Sequence, residues 1–312
     1  MAFTLAHVSD LHLPVPPGAL RPLGQLAGKR LLAYLAWRRK RRRAAAPGAL
    51  LADIAAAEPD HIAVTGDLTN LALPGEFAAA RELLAGLGPA EGLSLVPGNH
   101  DATVAVPWAK GLGRWDEWMA GEGAGPGTSP FPFLHRRGPL ALIGLSSALP
   151  TLPGSAAGEL GGGQLARLPA LLDWAAREGL FRVMLIHHPP LPGPGGRRKA
   201  LRDGAALREI LARHGAELVL HGHHHRVMQG ELPGPGGPIP VLGAPHALAP
   251  GHGWAGWWLH RIERDAGGWR LESVLRLQDP ATGRFAEGAR PGAWRLARPA
   301  TEGLGHPGSG TA

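Results

Sequence analysis

One pattern recurs along this chain: a short apolar run, then a polar tip of Ser, Gly, Asp, Asn or His, then a stretch with apolar residues at helical spacing. The runs 3–8, 62–65, 93–96, 141–145, 182–186 and 218–220 each end in such a tip. These tips are Ser9-Asp10, Gly66-Asp67, Gly98-Asn99-His100-Asp101, Ser146-Ser147, His187-His188 and His221. Helical spacing follows at 49–57, 75–87, 164–177 and 204–213. Short apolar strands alternating with helices define a layered α/β fold. In such sheets, loops at the carboxyl ends of the strands converge over one rim, so separated segments can supply one site.

Beyond residue 238 the texture changes. Residues 239–242, 257–262 and 269–277 read as strands, the last two joined as a hairpin through Asp265-Ala266-Gly267-Gly268. The reading is one domain over residues 1–278, with a basic insertion at 22–46, and a loop-like tail over 279–312 whose end, HPGSGTA, is expected to be disordered. A chain of 312 residues, 44% of them hydrophobic, can bury the core this requires.

The tips are made of oxygen and imidazole ligands. The stretch LVLHGHHHRVMQ alone places His221, His223, His224 and His225 around Gly222, after a strand. Cysteine is absent, which excludes disulfides and thiolate sites and leaves any metal to His, Asp, Glu or Asn. Asp10 and His12 lie two apart, as do His223 and His225, so each pair points one way on extended chain. Two carboxylates, an asparagine and several imidazoles exceed the needs of one ion. Two ions sharing a carboxylate fit better, and such pairs suit displacement at phosphorus.

DLH, GDLTN, GNHD, HHP and GHHH, in this order and each at a strand tip, resemble the five motifs of the calcineurin-like metallophosphoesterase superfamily. Within it, GDLTN, VPGNHD and HHPP are similar to bacterial class III cyclic nucleotide phosphodiesterases. The resemblance implies a four-layer α/β/β/α sandwich of the metallophosphoesterase type and a phosphodiester hydrolase acting through a metal-bridging hydroxide. It implies one ion on Asp10, His12 and His225, another on Asn99, His187 and His223, and Asp67 bridging them. His100 would protonate the leaving group or stabilise its charge, with Asp101 orienting His100. His221 and His224 fall outside this ligand set. Two divalent ions are expected, and a ligand set without sulfur suits Mn, Fe or Zn without choosing among them.

Other features carry plainer readings. His188 follows a ligand on a strand and should face away from it, or towards the rim and substrate; His224 reads as a rim residue. Trp254, Trp257 and Trp258 read as packing of the terminal strands, with a base-stacking wall as the alternative. Gly161-Gly162-Gly163 lacks the lysine and strand of a phosphate-binding loop.

The insertion stands apart. Leu23, Leu26, Ala27, Arg30, Leu31, Tyr34, Leu35 and Arg38 fall at helical spacing and run into Arg38, Arg39, Lys40, Arg41, Arg42 and Arg43, much of the +7 formal charge. Either the stripe packs on the core with a solvated basic end, or it meets an anionic membrane surface or polyanionic substrate. Three functions follow as rivals: hydrolysis of a soluble phosphodiester such as a cyclic nucleotide, cleavage of a lipid-linked pyrophosphate such as UDP-diacylglucosamine, or a silent binding scaffold. The intact ligand set argues against the last. No nucleic-acid partner is expected. No run approaches the ~20 apolar residues of a membrane span, so the expectation is a cytoplasmic protein, with the inner membrane face as a peripheral location.

Overall fold

In the computed structural model, residues 2–39, 47–121, 130–248, 255–288 and 292–297 are described. Two sheets lie face to face. The first runs β12 (Phe285–Glu287), β11 (Gly268–Gln278), β10 (Gly256–Asp265), β1 (Phe3–Val8), β2 (His61–Val64), β3 (Leu93–Leu95), with β13 (Gly292–Ala297) also pairing β11; the second runs β4 (Phe133–Arg137), β5 (Leu140–Gly144), β6 (Phe181–Leu185), β7 (Leu218–His221), β9 (Ile239–Gly243), β8 (Met228–Leu232). Strands β1, β2 and β3 are parallel, as are β5, β6, β7 and β9. Antiparallel strands complete the edges: β4, β8, and the long pair β10 and β11.

The alternation of side chains along each strand explains the layering. Leu142, Val183, Leu185, Leu218, Leu220 and Leu242 of the second sheet share a core with Leu5, Ile262 and Leu271 of the first. Their neighbours Ile143, Met184, Ile186, Val219 and Val241 pack on the opposite face against Leu168 and Leu172 of α5 (Gly162–Arg177) and Leu207 and Leu211 of α6 (Gly204–His214). On the outer face of the first sheet lie α2 (Gly48–Ala57), through Leu50 and Ile54, and α3 (Pro74–Gly86), through Phe77, Ala80 and Leu84. The result is the four-layer α/β/β/α sandwich.

Two expectations need correction. The stretch 279–312 is not loop throughout: β12 (Phe285–Glu287) and β13 (Gly292–Ala297) both add to β11. Phe285, Trp294 and Leu296 reach the core from these strands, an apolar alternation that the surrounding Gly and Pro obscure. Residues 298–312, including HPGSGTA, lie outside the described residues.

The insertion is not one helix from Leu23. A single 3₁₀ turn (Leu23–Gln25) precedes α1 (Lys29–Arg39), and the two are separated at Gly28, whose φ of +58° suits a residue without Cβ. No described side chain of α1 is buried, so the core-packed reading of this helix does not hold. Arg30, placed in the apolar stripe by spacing, instead bonds the carbonyls of Leu71 and Ala72. The basic run Lys40–Arg43 lies outside the described residues, as does the side chain of Arg39.

Candidate metal centre

The carboxyl ends of β1, β2, β3, β6 and β7 meet at one rim and carry all the predicted site residues. Of seven non-glycine residues with positive φ among those described, five are here: Asp10, His12, Asp67, His223 and His225. Each such residue costs on the order of 1 kcal/mol, and the cost persists where the surroundings over-determine the geometry. Those surroundings include two glycines. A Cβ on Gly98 would overlap the Asp67 carboxylate, and one on Gly222 would overlap Ser9 and Asp10. Gly222 thus lets β7 close on the β1 tip.

Hydrogen bonding fixes the imidazole tautomers, because a carbonyl can only accept. His187 donates Nδ1–H to Thr65 O at 2.6 Å, so Nε2 is its inward atom, 3.2 Å from Asn99 Oδ1 and 3.4 Å from Asp67 Oδ2. His223 donates Nε2–H to Lys199 O at 3.0 Å, which turns Nδ1 towards Asn99 Oδ1 at 2.9 Å. Across Asp67, His12 Nε2 lies 3.7 Å from the same Oδ2 and 3.3 Å from His225 Nε2, which is 3.1 Å from Asp10 Oδ1. Asp10 Oδ1, Asp67 Oδ2 and His12 Nδ1 are buried without a hydrogen-bond partner among the described residues.

Lone pairs facing one another at these separations repel unless a cation lies among them. An ion with bonds of about 2.1 Å separates its ligands by about 3.0 to 3.4 Å. The donor set therefore fits two cations that share Asp67. Asp10, His12, Asp67 and His225 present ligand atoms all within 4.8 Å of one another. His187, Asn99 and His223 form the second group, around Asn99 Oδ1.

The electrostatics agree. Burial, with the charge of neighbouring imidazoles, holds His12 and His223 well below the ordinary histidine range, in the neutral form that ligates metals. Burial works against a charge on His187 too, but the negative charge of the Asp67 carboxylate beside it carries it up to about 9. Asp67 therefore draws positive charge towards itself.

Asp101 differs from its expected role. It does not touch the His100 ring. Its carboxylate accepts the backbone N–H groups of Asp67, Leu68, Thr69 and Gly98 and the Thr69 hydroxyl, pinning the β2 tip to the β3 tip. The His100 ring is oriented by the Asn70 carbonyl, which accepts from Nδ1 at 3.0 Å. Asn70 is held in turn by Glu76 in the first turn of α3, whose carboxylate accepts the N–H groups of Asn70, Leu71 and Leu73.

His188 is a buried strut, bonded to Ser147 Oγ and Ala156 O, and is not among the residues lining the pocket above the centre. His221 is buried with Nδ1 on Gly222 O, and His224 is half-buried at the rim near Gly193. Trp257 and Trp258 are core residues bonded to Asp53 and to Gly243 O; Trp254 lies outside the described residues. One residue escaped the sequence reading. His246, just beyond β9, lies against His225 with ring centroids 3.7 Å apart and planes tilted by 50°, and with His12 and His225 makes a further group that could hold an ion. Its signal was the same strand-tip position that marked the others.

Above the centre is a pocket of about 270 Å³. Asp67, Asn70, Asn99, His100, His223 and His225 form its floor, while Ala33 and Ala36 of α1, Ala156 and Lys199 form its walls.

The site is a candidate metal centre at the strand tips of a two-sheet α/β fold. Residues 3–227 match the calcineurin-like phosphoesterase family, and the chain belongs to that family. A probable cyclic nucleotide phosphodiesterase of Synechococcus sp. (strain WH7803) is 36% identical over 102 residues, 32% of this chain. That match spans 38% of the relative's length. Among solved structures, a dimetal phosphatase from Danio rerio aligns with a TM-score of 0.57 at 12% identity, covering 91% of this chain and 98% of the other. An NAD nucleotidase from Haemophilus influenzae aligns at 0.51 and 12% identity, covering 93% and 54%. At these identities the structures speak for the fold alone. Among the described residues, no helix is long and apolar enough to cross a membrane.

Proposed function

We propose that this protein hydrolyses a small soluble phosphodiester, with cyclic nucleotides the leading class. The observation that carries this reading is the pairing of lone pairs about Asp67: His12 Nε2 on one side and His187 Nε2 on the other, with Asp10, His225, Asn99 and His223 completing two groups. When bound, two divalent ions there supply Lewis acidity towards phosphoryl oxygens and a nucleophile at neutral pH. Mn, Fe and Zn all suit the donors.

The chain's own residues do the rest. Asp67 holds the two groups together, and its Oδ1 accepts the backbone N–H of His100 at 2.7 Å, so the shared ligand also seats the His100 backbone. With Nδ1–H given to Asn70, His100 presents Nε2 to the pocket. There, in its imidazolium form, it can donate a proton to the departing oxygen or a hydrogen bond to a phosphoryl oxygen. Thr65 O and Lys199 O fix the tautomers of His187 and His223 and raise their basicity as ligands. The pocket sits near the lower end of small-molecule sites in volume, which suits a mononucleotide better than a polymer. The Synechococcus relative's description as a probable cyclic nucleotide phosphodiesterase supports the same class.

A second reading, a lipid-linked pyrophosphate such as UDP-diacylglucosamine cleaved at the inner membrane face, draws on the position of α1, whose Ala33 and Ala36 wall the pocket. The test is Mn-loaded protein assayed against cyclic AMP, an aryl phosphodiester and the lipid pyrophosphate in detergent. Turnover of the first two supports the leading reading; turnover of the third alone replaces it.

A further inference from the structure

Helix α1 has two faces with different business. Its inner side is fastened to the body at the amino-terminal end, where Lys29 Nζ donates to Thr151 Oγ1 at 2.8 Å and Arg30 donates to the carbonyls of Leu71 and Ala72. The inner side also brings Ala33 and Ala36 to the pocket wall. The outer side presents Leu31, Leu32 and Leu35, which are 43%, 53% and 44% exposed. At a turn of 3.6 residues these three fall within about 100° of arc, with Arg38 beside them at one end.

A soluble helix seldom leaves three adjacent leucines in water, and such patches mark a docking surface. What docks there is indicated by charge. The leucines share their face with the exposed Arg38, and the sequence continues as Arg39, Lys40, Arg41, Arg42 and Arg43 with no acidic residue before Asp53. A run of cations next to exposed leucines complements a surface that is anionic at its plane and apolar beneath it. Arginine suits this position because its stem lies along apolar surface while its guanidinium reaches phosphate.

We infer that the outer face of α1 docks on an anionic phospholipid bilayer, with the leucines in the headgroup region. Since the same helix walls the catalytic pocket, docking holds the pocket mouth at the membrane surface. This does not depend on which phosphodiester the site hydrolyses.

The test is flotation of metal-free protein, without substrate, on vesicles of phosphatidylcholine alone or mixed equally with phosphatidylglycerol. The protein should float with the mixed vesicles at low salt, remain behind with phosphatidylcholine, and be released as salt is raised. Arg38→Gln should weaken partitioning about 5-fold, the equivalent of about 1 kcal/mol per cation at such a surface. Leu31→Gln with Leu35→Gln should weaken it at least about 10-fold, with circular dichroism and aryl-diester hydrolysis in free solution unchanged. Absence of flotation at low salt overturns the inference, as does equal partitioning of the leucine variant. So does sedimentation showing that the leucines hold two copies of the chain together. Because flotation needs neither metal nor substrate, its failure leaves the hydrolase reading standing, and an inactive protein that floats contradicts only that reading.

Discussion

His223 Nδ1 and Asn99 Oδ1 face each other at 2.9 Å as two acceptors, since the imidazole's proton is already given to the Lys199 carbonyl. A cation between them turns repulsion into ligation. Asn99→Ala should therefore lower bound metal from two ions towards one and reduce diester hydrolysis by more than about 100-fold, beyond the usual effect of an outer-shell change. Asp67→Ala should lose more of both, because that carboxylate faces both groups. Elemental analysis of dialysed variants beside turnover checks this; two ions retained by Asn99→Ala would contradict it.

For His100 the expectation is a chemical effect without a metal effect. Its ring bonds the Asn70 carbonyl and lines the pocket, outside both ligand groups. His100→Asn should lower kcat by about 10² to 10³ with metal content unchanged. If activity falls only in step with lost metal, the residue is a support.

Asp101 should behave as a keystone. Removing its carboxylate leaves four buried N–H groups to find other partners, while the Thr69 hydroxyl can still donate to the His100 carbonyl. At about 1 to 3 kcal/mol for each group left unsatisfied, Asp101→Ala should destabilise the metal-free protein by roughly 3 kcal/mol or more. Urea unfolding measures this. A variant of unchanged stability with the kinetic signature of His100→Asn would restore the orienting role.

Acid sensitivity should arise in the core. His260 on β10 is fully buried, its Nδ1 paired with Ser273 Oγ, and burial holds it down to about 3. A depressed folded value means the stability is present above the unfolded value of about 6.5 and is lost as pH falls below it towards 3. Between pH 7 and pH 5 this one group should remove about 2 kcal/mol. His260→Gln, which can still bond Ser273, should show a shallower loss by that amount in urea titrations at the two pH values.

The centre was legible because ligand chemistry concentrates at strand tips, and the tips of β1, β2, β3, β6 and β7 are marked in sequence by Asp, Asn and His beside Gly. What escaped depends on tertiary partners. Phe133-Leu134-His135 forms a strand only because β5 and the core accept Phe133 and His135, and Met228–Leu232 because β9 offers an edge. Trp294 and Leu296 alternate as a strand should, but within a Gly- and Pro-rich stretch. Asp101 has the same residue type in either role, and only the positions of four amides in another loop distinguish a keystone from an orienting acid. Spacing likewise placed Leu31 and Arg30 on one stripe of α1, whereas the loop carbonyls of Leu71 and Ala72 decide which side faces the body.

The most direct test of the proposed two-ion phosphodiesterase activity is a titration of Mn into metal-free protein, with bound metal and aryl-diester hydrolysis read on the same samples. Binding should saturate at two ions per chain, with hydrolysis appearing as the second site fills. Saturation at one ion with full activity, or hydrolysis in the metal-free protein, would contradict it.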